Sequence, residues 1–209
     1  MTTNHFDEAA VSWDNEPRRV LLMKAIGKTI VQEAKLHAKM KVLDYGCGTG
    51  LVGLFLLPHV HSVIGADNSP GMLTVLQKKI AEGNLRSMKT TQLNLEGDPV
   101  PRDRFHMIVV SLVMHHIKAV DKVLRAFHQL LLPDGTLCIA DLDTEPGSFH
   151  PPEVAHTVHH YGFDRATLKS QLTKIGFSKT KDTTVTTFEK PVQDDRQEKF
   201  SIFLIHAKR

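Results

Sequence analysis

A glycine stands at every second position of Gly46-Cys47-Gly48-Thr49-Gly50, directly after the apolar-to-acidic run Val42-Leu43-Asp44-Tyr45. Glycine has no Cβ, so this stretch turns sharply and its backbone lies close against whatever occupies the turn. The residues before it read as a buried strand, and Leu51-Val52-Gly53-Leu54-Phe55-Leu56 after it as a helix. Strand, tight glycine turn and helix form a cradle for a nucleotide-like group at the carboxyl edge of a parallel sheet.

The rest of the chain continues the alternation. Val20, Met23, Ile26, Ile30, Val31 and Ala34 recur at helical spacing and predict a helix over 16–38. Strands are expected at 41–45, 62–66, 88–93, 105–112 and 136–140, with Asp67 and Asp141 following the second and the fifth. Ser69-Pro70 reads as a helix cap followed by a first-turn proline, and that helix runs to Glu82. Val120, Val123, Leu124, Phe127, Leu130 and Leu131 give another helical face, which Pro133-Asp134-Gly135 stops. Residues 142–163 are rich in His, Pro and Gly and read as a lid-like insertion. A helix over 163–175 follows, capped by Gly176. Extended runs at 179–188 and 199–207, joined by a short polar linker over 191–197, form an antiparallel hairpin on the sheet's edge. The expected fold is α/β: a doubly wound, mostly parallel seven-stranded sheet in one domain over 1–209, with an N-terminal helical cap over 1–38.

Bulk properties exclude several classes. The 26 basic and 23 acidic residues leave a net charge of only +3, which does not favour a nucleic-acid partner. No apolar run has membrane-spanning length, and the first residues do not resemble a secretory signal. The two cysteines, Cys47 and Cys138, read as free thiols in a reducing cytoplasm. A cytoplasmic protein without a membrane partner is the expectation.

Two readings of the glycine turn compete. Gly48-x-Gly50-x-x-Gly53 matches the dinucleotide fingerprint, in which glycines admit a pyrophosphate to a helix N-terminus. Gly46-x-Gly48-x-Gly50 with Asp44 ahead of it suits S-adenosylmethionine, which has no phosphate and carries a cationic tail. A carboxylate at position 44 would repel the first and attract the second, although it could equally satisfy local backbone N–H groups. Asp67 is placed to accept bonds from both ribose hydroxyls in either class, and also to form a local turn before Ser69.

An ordered set of further segments bears on the choice: Gly65-Ala66-Asp67-Asn68-Ser69 with Met72-Leu73, Phe105-His106-Met107-Ile108-Val109, Met114-His115-His116-Ile117 and Leu132-Pro133-Asp134-Gly135-Thr136. With the glycine turn, these make residues 40–141 resemble the class I S-adenosylmethionine-dependent methyltransferases of the small-molecule, type 11/12-like kind. The resemblance implies a Rossmann-like methyltransferase fold. It implies that Gly46, Gly48 and the backbone near Tyr45 line the methionine tail, that Asp44 and Cys47 also belong to the cofactor site, and that Asp67 holds the ribose. Asn68 and Met72 would border the adenine, Leu95 would turn its backbone N–H to a ring nitrogen, and Ser111 would lie beneath the methyl donor. Asn94 stands where the family often has an acid, and can accept the adenine amino group only through a neutral carbonyl.

Methyl transfer from a sulfonium needs alignment and exclusion of water more than acid–base help. His116 is the candidate base; His115 is read as shaping the cofactor wall. His156 and His160 share helical i,i+4 spacing, but no further ligand stands beside them, so no metal site is expected there. Phe6, Trp13, Arg18 and Arg19 are candidates to close over the cofactor. The sequence has no Asn/Asp-Pro-Pro-aromatic clamp after the fourth strand, and two cysteines are too few for a metalloid site. A small organic methyl acceptor is the expected substrate. An NAD-dependent oxidoreductase and a non-catalytic S-adenosylmethionine-binding protein are the alternatives.

Overall fold

A computed structural model describes residues 5–192 and 196–209. Seven strands form one sheet in the order β3-β2-β1-β4-β5-β7-β6. They are β1 (Lys41–Tyr45), β2 (Ser62–Asp67), β3 (Met88–Gln92), β4 (Phe105–Ser111), β5 (Leu131–Leu142), β6 (Ser178–Pro191) and β7 (Gln197–Lys208). The first five pair in parallel, while β7 runs antiparallel to both β5 and β6. The expected terminal hairpin therefore joins the sheet beside β5. Residues 193–195 of its predicted linker, and residues 1–4 of the predicted N-terminal cap, lie outside the described residues.

The helices are α1 (His5–Ala9), α2 (Pro17–Glu33), α3 (Leu51–Leu56), α4 (Pro70–Glu82), α5 (Val120–Leu130), α6 (Pro152–Ala155) and α7 (Arg165–Ile175). One core layer packs Ile26 and Ile30 of α2, Val52 and Leu56 of α3 and Leu76 of α4 against Val42, Val63, Met107 and Val109. The other packs Val123, Leu124, Phe127 and Leu130 of α5 and Leu168 and Leu172 of α7 against Leu43, Ile108, Val110 and Ile139. Alternate residues of β1 and β4 thus serve opposite layers, as period-two side chains must. Burying each such side chain is worth about 1.5–3 kcal/mol.

Several boundaries differ from those the sequence predicts. The first long helix ends at Glu33, and Lys35 takes a left-handed φ of 44°. β5 starts at Leu131, with Pro133-Asp134-Gly135 inside it, because Phe105 pairs with Leu131 before the register shifts to Met107–Thr136. β6 and β7 are also longer than predicted. The 142–163 insertion carries the four-residue α6, and the helix after it starts at Arg165 under an Asp164 cap. Within the Ser69-Pro70 signal, the Ser69 hydroxyl accepts the Met72 N–H, a cap worth about 1 kcal/mol.

After β3 the chain crosses to the far side of β1. β1 and β4 are therefore neighbours whose following segments diverge, and a crevice opens at their carboxyl ends.

Candidate functional site

A cavity of about 750 Å³ occupies that crevice. Its floor is the glycine turn. Gly46, Gly48 and Gly50 have φ of 68°, 53° and 84°, all left-handed. A Cβ on Gly46 would stand 2.4 Å from Val113 Cγ2. A Cβ on Gly48 would meet nothing nearer than Trp13 Nε1 at 3.8 Å and Met72 Sδ at 3.9 Å, both from residues that line the cavity. Gly46 is thus glycine for packing as well as conformation, whereas Gly48 presents bare backbone to the space above it.

Two carboxylates organise the turn. Asp44 is 1% exposed, and its Oδ2 accepts the Gly53 N–H at 2.9 Å. Burial pushes its pKa up to about 7, against the lowering effect of that hydrogen bond. Asp44 therefore does the local backbone work its position allowed, and it also lines the cavity. Asp67 accepts the Gly48 N–H on Oδ2 at 2.8 Å and the Ser69 N–H on Oδ1 at 2.9 Å. Burial raises its pKa too, opposed by these N–H donors. Each Asp67 oxygen keeps a further acceptor direction, and the residue lines the cavity.

Gly46, Cys47, Gly48, Met72, Ser111 and His116 also line this space. Burial drives the Cys47 thiol well above its usual range. Ser111, at the end of β4, has a buried Oγ with no hydrogen-bond partner among the described residues. The remaining predicted residues lie elsewhere. Tyr45 points into the core against Phe127, and its hydroxyl accepts the Leu95 N–H at 3.0 Å. The N–H expected to face an adenine nitrogen is therefore donated to Tyr45. Asn68 and Asn94 line a separate shallow depression with Gln92 and Asp98. The Asn94 Oδ1 accepts the Glu96 N–H at 3.0 Å.

The N-terminal segment covers the cavity. Phe6, Trp13, Arg18 and Arg19 all line it. The Arg19 guanidinium lies 3.7 Å from the Trp13 ring centre. Asp7 accepts from the Ser69 hydroxyl at 2.6 Å and the Gly71 N–H at 2.8 Å, tying α1 to the start of α4. Thr49 donates to Asp14 at 2.6 Å, and Lys79 forms an ion pair with Asp14. Asp7, Asp14 and Thr49 were not predicted site residues. Their contacts span 35 to 64 residues and leave no periodic signal.

The opposite wall is built from histidines. His115 is 1% exposed, and its Nδ1 lies 2.7 Å from Asp141 Oδ1. His116 donates Nδ1–H to the Thr157 carbonyl at 2.9 Å. Burial lowers its pKa to about 4, with His115 adding to the effect. His150, from the insertion, sits with Nε2 3.1 Å from His115 Nε2, and burial lowers its pKa to about 3. His156 is exposed, while His160 Nε2 donates to the Ile117 carbonyl at 2.9 Å, so the i,i+4 pair builds no site. From sequence, His150 is one of several histidines in the 142–163 insertion, any one of which could touch substrate, and Asp141 is not recognised as a member of this wall. An acid directly after the predicted fifth strand was a usable signal for Asp141, since Ala140 pairs with Ser111.

Comparison with known proteins gives this arrangement a family. An uncharacterized methyltransferase of Schizosaccharomyces pombe is 33% identical over 158 residues, covering 69% of this chain and 56% of that protein. The uncharacterized methyltransferase YcgJ of Bacillus subtilis is 30% identical over 112 residues, covering 54% of this chain and 44% of its own length. The chain thus spans about half the length of these relatives. Its fold matches the crystal structure of a SAM-dependent methyltransferase from Aquifex aeolicus with a TM-score of 0.70 at 18% identity, covering 97% of each chain. The methyltransferase-domain family model matches residues 18–181. The chain belongs to the methyltransferase-domain family and carries the class I S-adenosylmethionine-dependent methyltransferase fold.

Proposed function

We propose that this protein transfers a methyl group from S-adenosylmethionine to a small-molecule acceptor by in-line displacement. The observation that carries the reading is how the glycine turn uses its N–H groups. Gly46 and Cys47 N–H are donated to the Ala66 carbonyl, Gly48 N–H to Asp67 and Gly50 N–H to the Cys47 carbonyl, while Gly53 N–H at the start of α3 is donated to Asp44. A pyrophosphate would meet two carboxylates where it needs free donors. A sulfonium nucleoside with an ammonium tail finds acceptors there for its ribose hydroxyls and a negative field for its charge. The bare backbone at Gly48 and the unpartnered Ser111 hydroxyl fit such a group.

The sulfonium supplies an activated methyl. In this reading Asp67 holds the ribose, Gly46 and Gly48 admit the amino-acid tail, and Met72 packs on the nucleoside. Phe6 and Trp13 exclude water from above. Asn68, Leu95 and Asn94 would border the adenine only if the ring reaches toward the shallow depression that Asn68 and Asn94 line. His116 lines the cavity beside the acceptor, and its Nδ1, held by the Thr157 carbonyl, leaves Nε2 as its acceptor nitrogen. The cavity's size suits a small acceptor beside the cofactor. No helix among the described residues is long and apolar enough to cross a membrane.

Calorimetric titration with S-adenosylhomocysteine and, separately, with NAD tests the reading. Binding of the first alone is expected; binding of NAD alone would replace it with hydride chemistry. Tight S-adenosylhomocysteine binding, without methylation across a broad acceptor panel, would favour a non-catalytic binding protein.

A further inference from the structure

Three imidazoles from two distant segments meet at one side of the cavity. His115 and His116 form the short helical turn Met114–His116 after β4, and His150 comes from the loop after β5. One ring nitrogen of each lies within 4.8 Å of the other two. His115 Nε2 and His150 Nε2 stand 3.1 Å apart. Two imidazole nitrogens bound to one tetrahedral ion at about 2.0–2.1 Å would be ~3.3–3.4 Å apart.

The outer contacts fix which nitrogens keep a lone pair. The Asp141 carboxylate accepts from His115 Nδ1, and the Thr157 carbonyl from His116 Nδ1. Both rings therefore keep an Nε2 lone pair available, and that of His115 meets His150. A carboxylate or carbonyl behind each ring is the arrangement that orients metal-binding histidines and raises their basicity. Asp141 shows a further feature. Its Oδ1 also accepts the Leu142 N–H, yet its Oδ2 is buried without a hydrogen-bond partner among the described residues. An ion on His115 Nε2 would act on this side chain through the imidazole between them.

We propose that His115, His116 and His150 bind one divalent transition-metal ion of the zinc class, whose remaining position opens onto the cavity. Three imidazoles without an oxygen cage suit such an ion and not magnesium or calcium. Three protein ligands with an open position are the pattern of a reactive site, not a structural one. The open position takes the accepting oxygen, nitrogen or sulfur of the methyl acceptor. This last step rests on the methyl-transfer reading; the metal site does not. His116 then serves as a ligand that holds the acceptor, in place of the base its position first suggests.

The test uses the full chain, freed of metal by chelation and titrated with cobalt(II), with zinc as competitor. One equivalent is expected, with the visible absorption of a four- or five-coordinate ion. His150→Ala and His150→Gln should each weaken binding about tenfold or more, and Asp141→Asn about 10- to 100-fold. His156→Ala and His159→Ala, at exposed positions, should leave it unchanged. X-ray absorption of the zinc-loaded protein should show three nitrogens at about 2.0–2.1 Å. No binding at millimolar cobalt, undiminished binding in both His150 variants, or an all-oxygen shell would overturn the proposal. S-adenosylhomocysteine binding is read separately: its loss with metal binding intact would count against methyl transfer alone.

Discussion

Gly48 donates its backbone N–H to Oδ2 of Asp67 at 2.8 Å, joining the turn after β1 to the end of β2. Ser69 N–H occupies the other oxygen at 2.9 Å. The carboxylate is thus aligned by two backbone donors before any ligand arrives, and its orientation costs nothing further on binding.

Asp67→Asn replaces one acceptor oxygen with an NH2 group, which must face either Gly48 N–H or Ser69 N–H. The variant should lose about 1–3 kcal/mol of stability in denaturant melts. Its affinity for S-adenosylhomocysteine should fall about 10-fold or more, because an ionic acceptor is lost. Wild-type affinity in a folded variant would remove Asp67 from the ribose site.

Gly46→Ala and Gly48→Ala should separate packing from binding. At position 46 the new methyl meets Val113 Cγ2 at 2.4 Å on a backbone with φ 68°. A destabilisation of about 2–4 kcal/mol is expected, part of it recovered by adding Val113→Ala. At position 48 the methyl has room, so only the left-handed backbone penalty of about 1–2 kcal/mol applies. That methyl nevertheless enters the cavity, so Gly48→Ala should cost more in calorimetric affinity than in melting. Equal stability losses at the two sites would contradict this division.

Asp44 should make stability pH-dependent with a sign opposite to that of a salt-bridged acid. Its folded pKa of about 7 lies above the ordinary value of 3.8. Between those values the folded state binds the proton that the unfolded state releases, so stability falls as pH rises through this window. Asp44→Asn removes the titration. Relative to wild type, it should gain on the order of 4 kcal/mol of stability on going from about pH 4 to about pH 8. Parallel urea curves for the two proteins across that range would show that Asp44 ionises without cost.

Trp13 covers Gly48 and is itself stacked beneath Arg19. Trp13→Ala opens the cavity to water while leaving the sheet intact. S-adenosylhomocysteine affinity should drop about 2- to 12-fold, the range of one aromatic contact. If the N-terminal segment is only a packed helix, affinity will not change.

The sheet was legible because its cues are local. Val42-Leu43 and Val109-Val110 are apolar runs of strand length, and Ser69-Pro70 and Gly83-Asn84 bound α4 as predicted. Local cues also misled. Pro133-Asp134-Gly135 stops a helix as expected, yet the same residues enter β5, because pairing of Leu131 with Phe105 supplies a partner that no local propensity reports. The C-terminal hairpin was legible as two extended runs. Its place beside β5 depends on Ile139 facing Ile205 and Ala140 facing Leu204 across a buried ladder.

What the amino-acid sequence determined alone is the strand–glycine-turn–helix cradle and the carboxylates at or next to the ends of its strands. Those features follow from steric limits on single residues and from period-two burial, which short stretches of chain express by themselves. What only the tertiary structure decided is the surroundings of that cradle: Trp13 above Gly48, the Leu95 N–H on Tyr45, and His150 against His115. These pairs are separated by 35 to 50 residues. No local preference selects them, and they form only when burial of the two core layers draws their segments together.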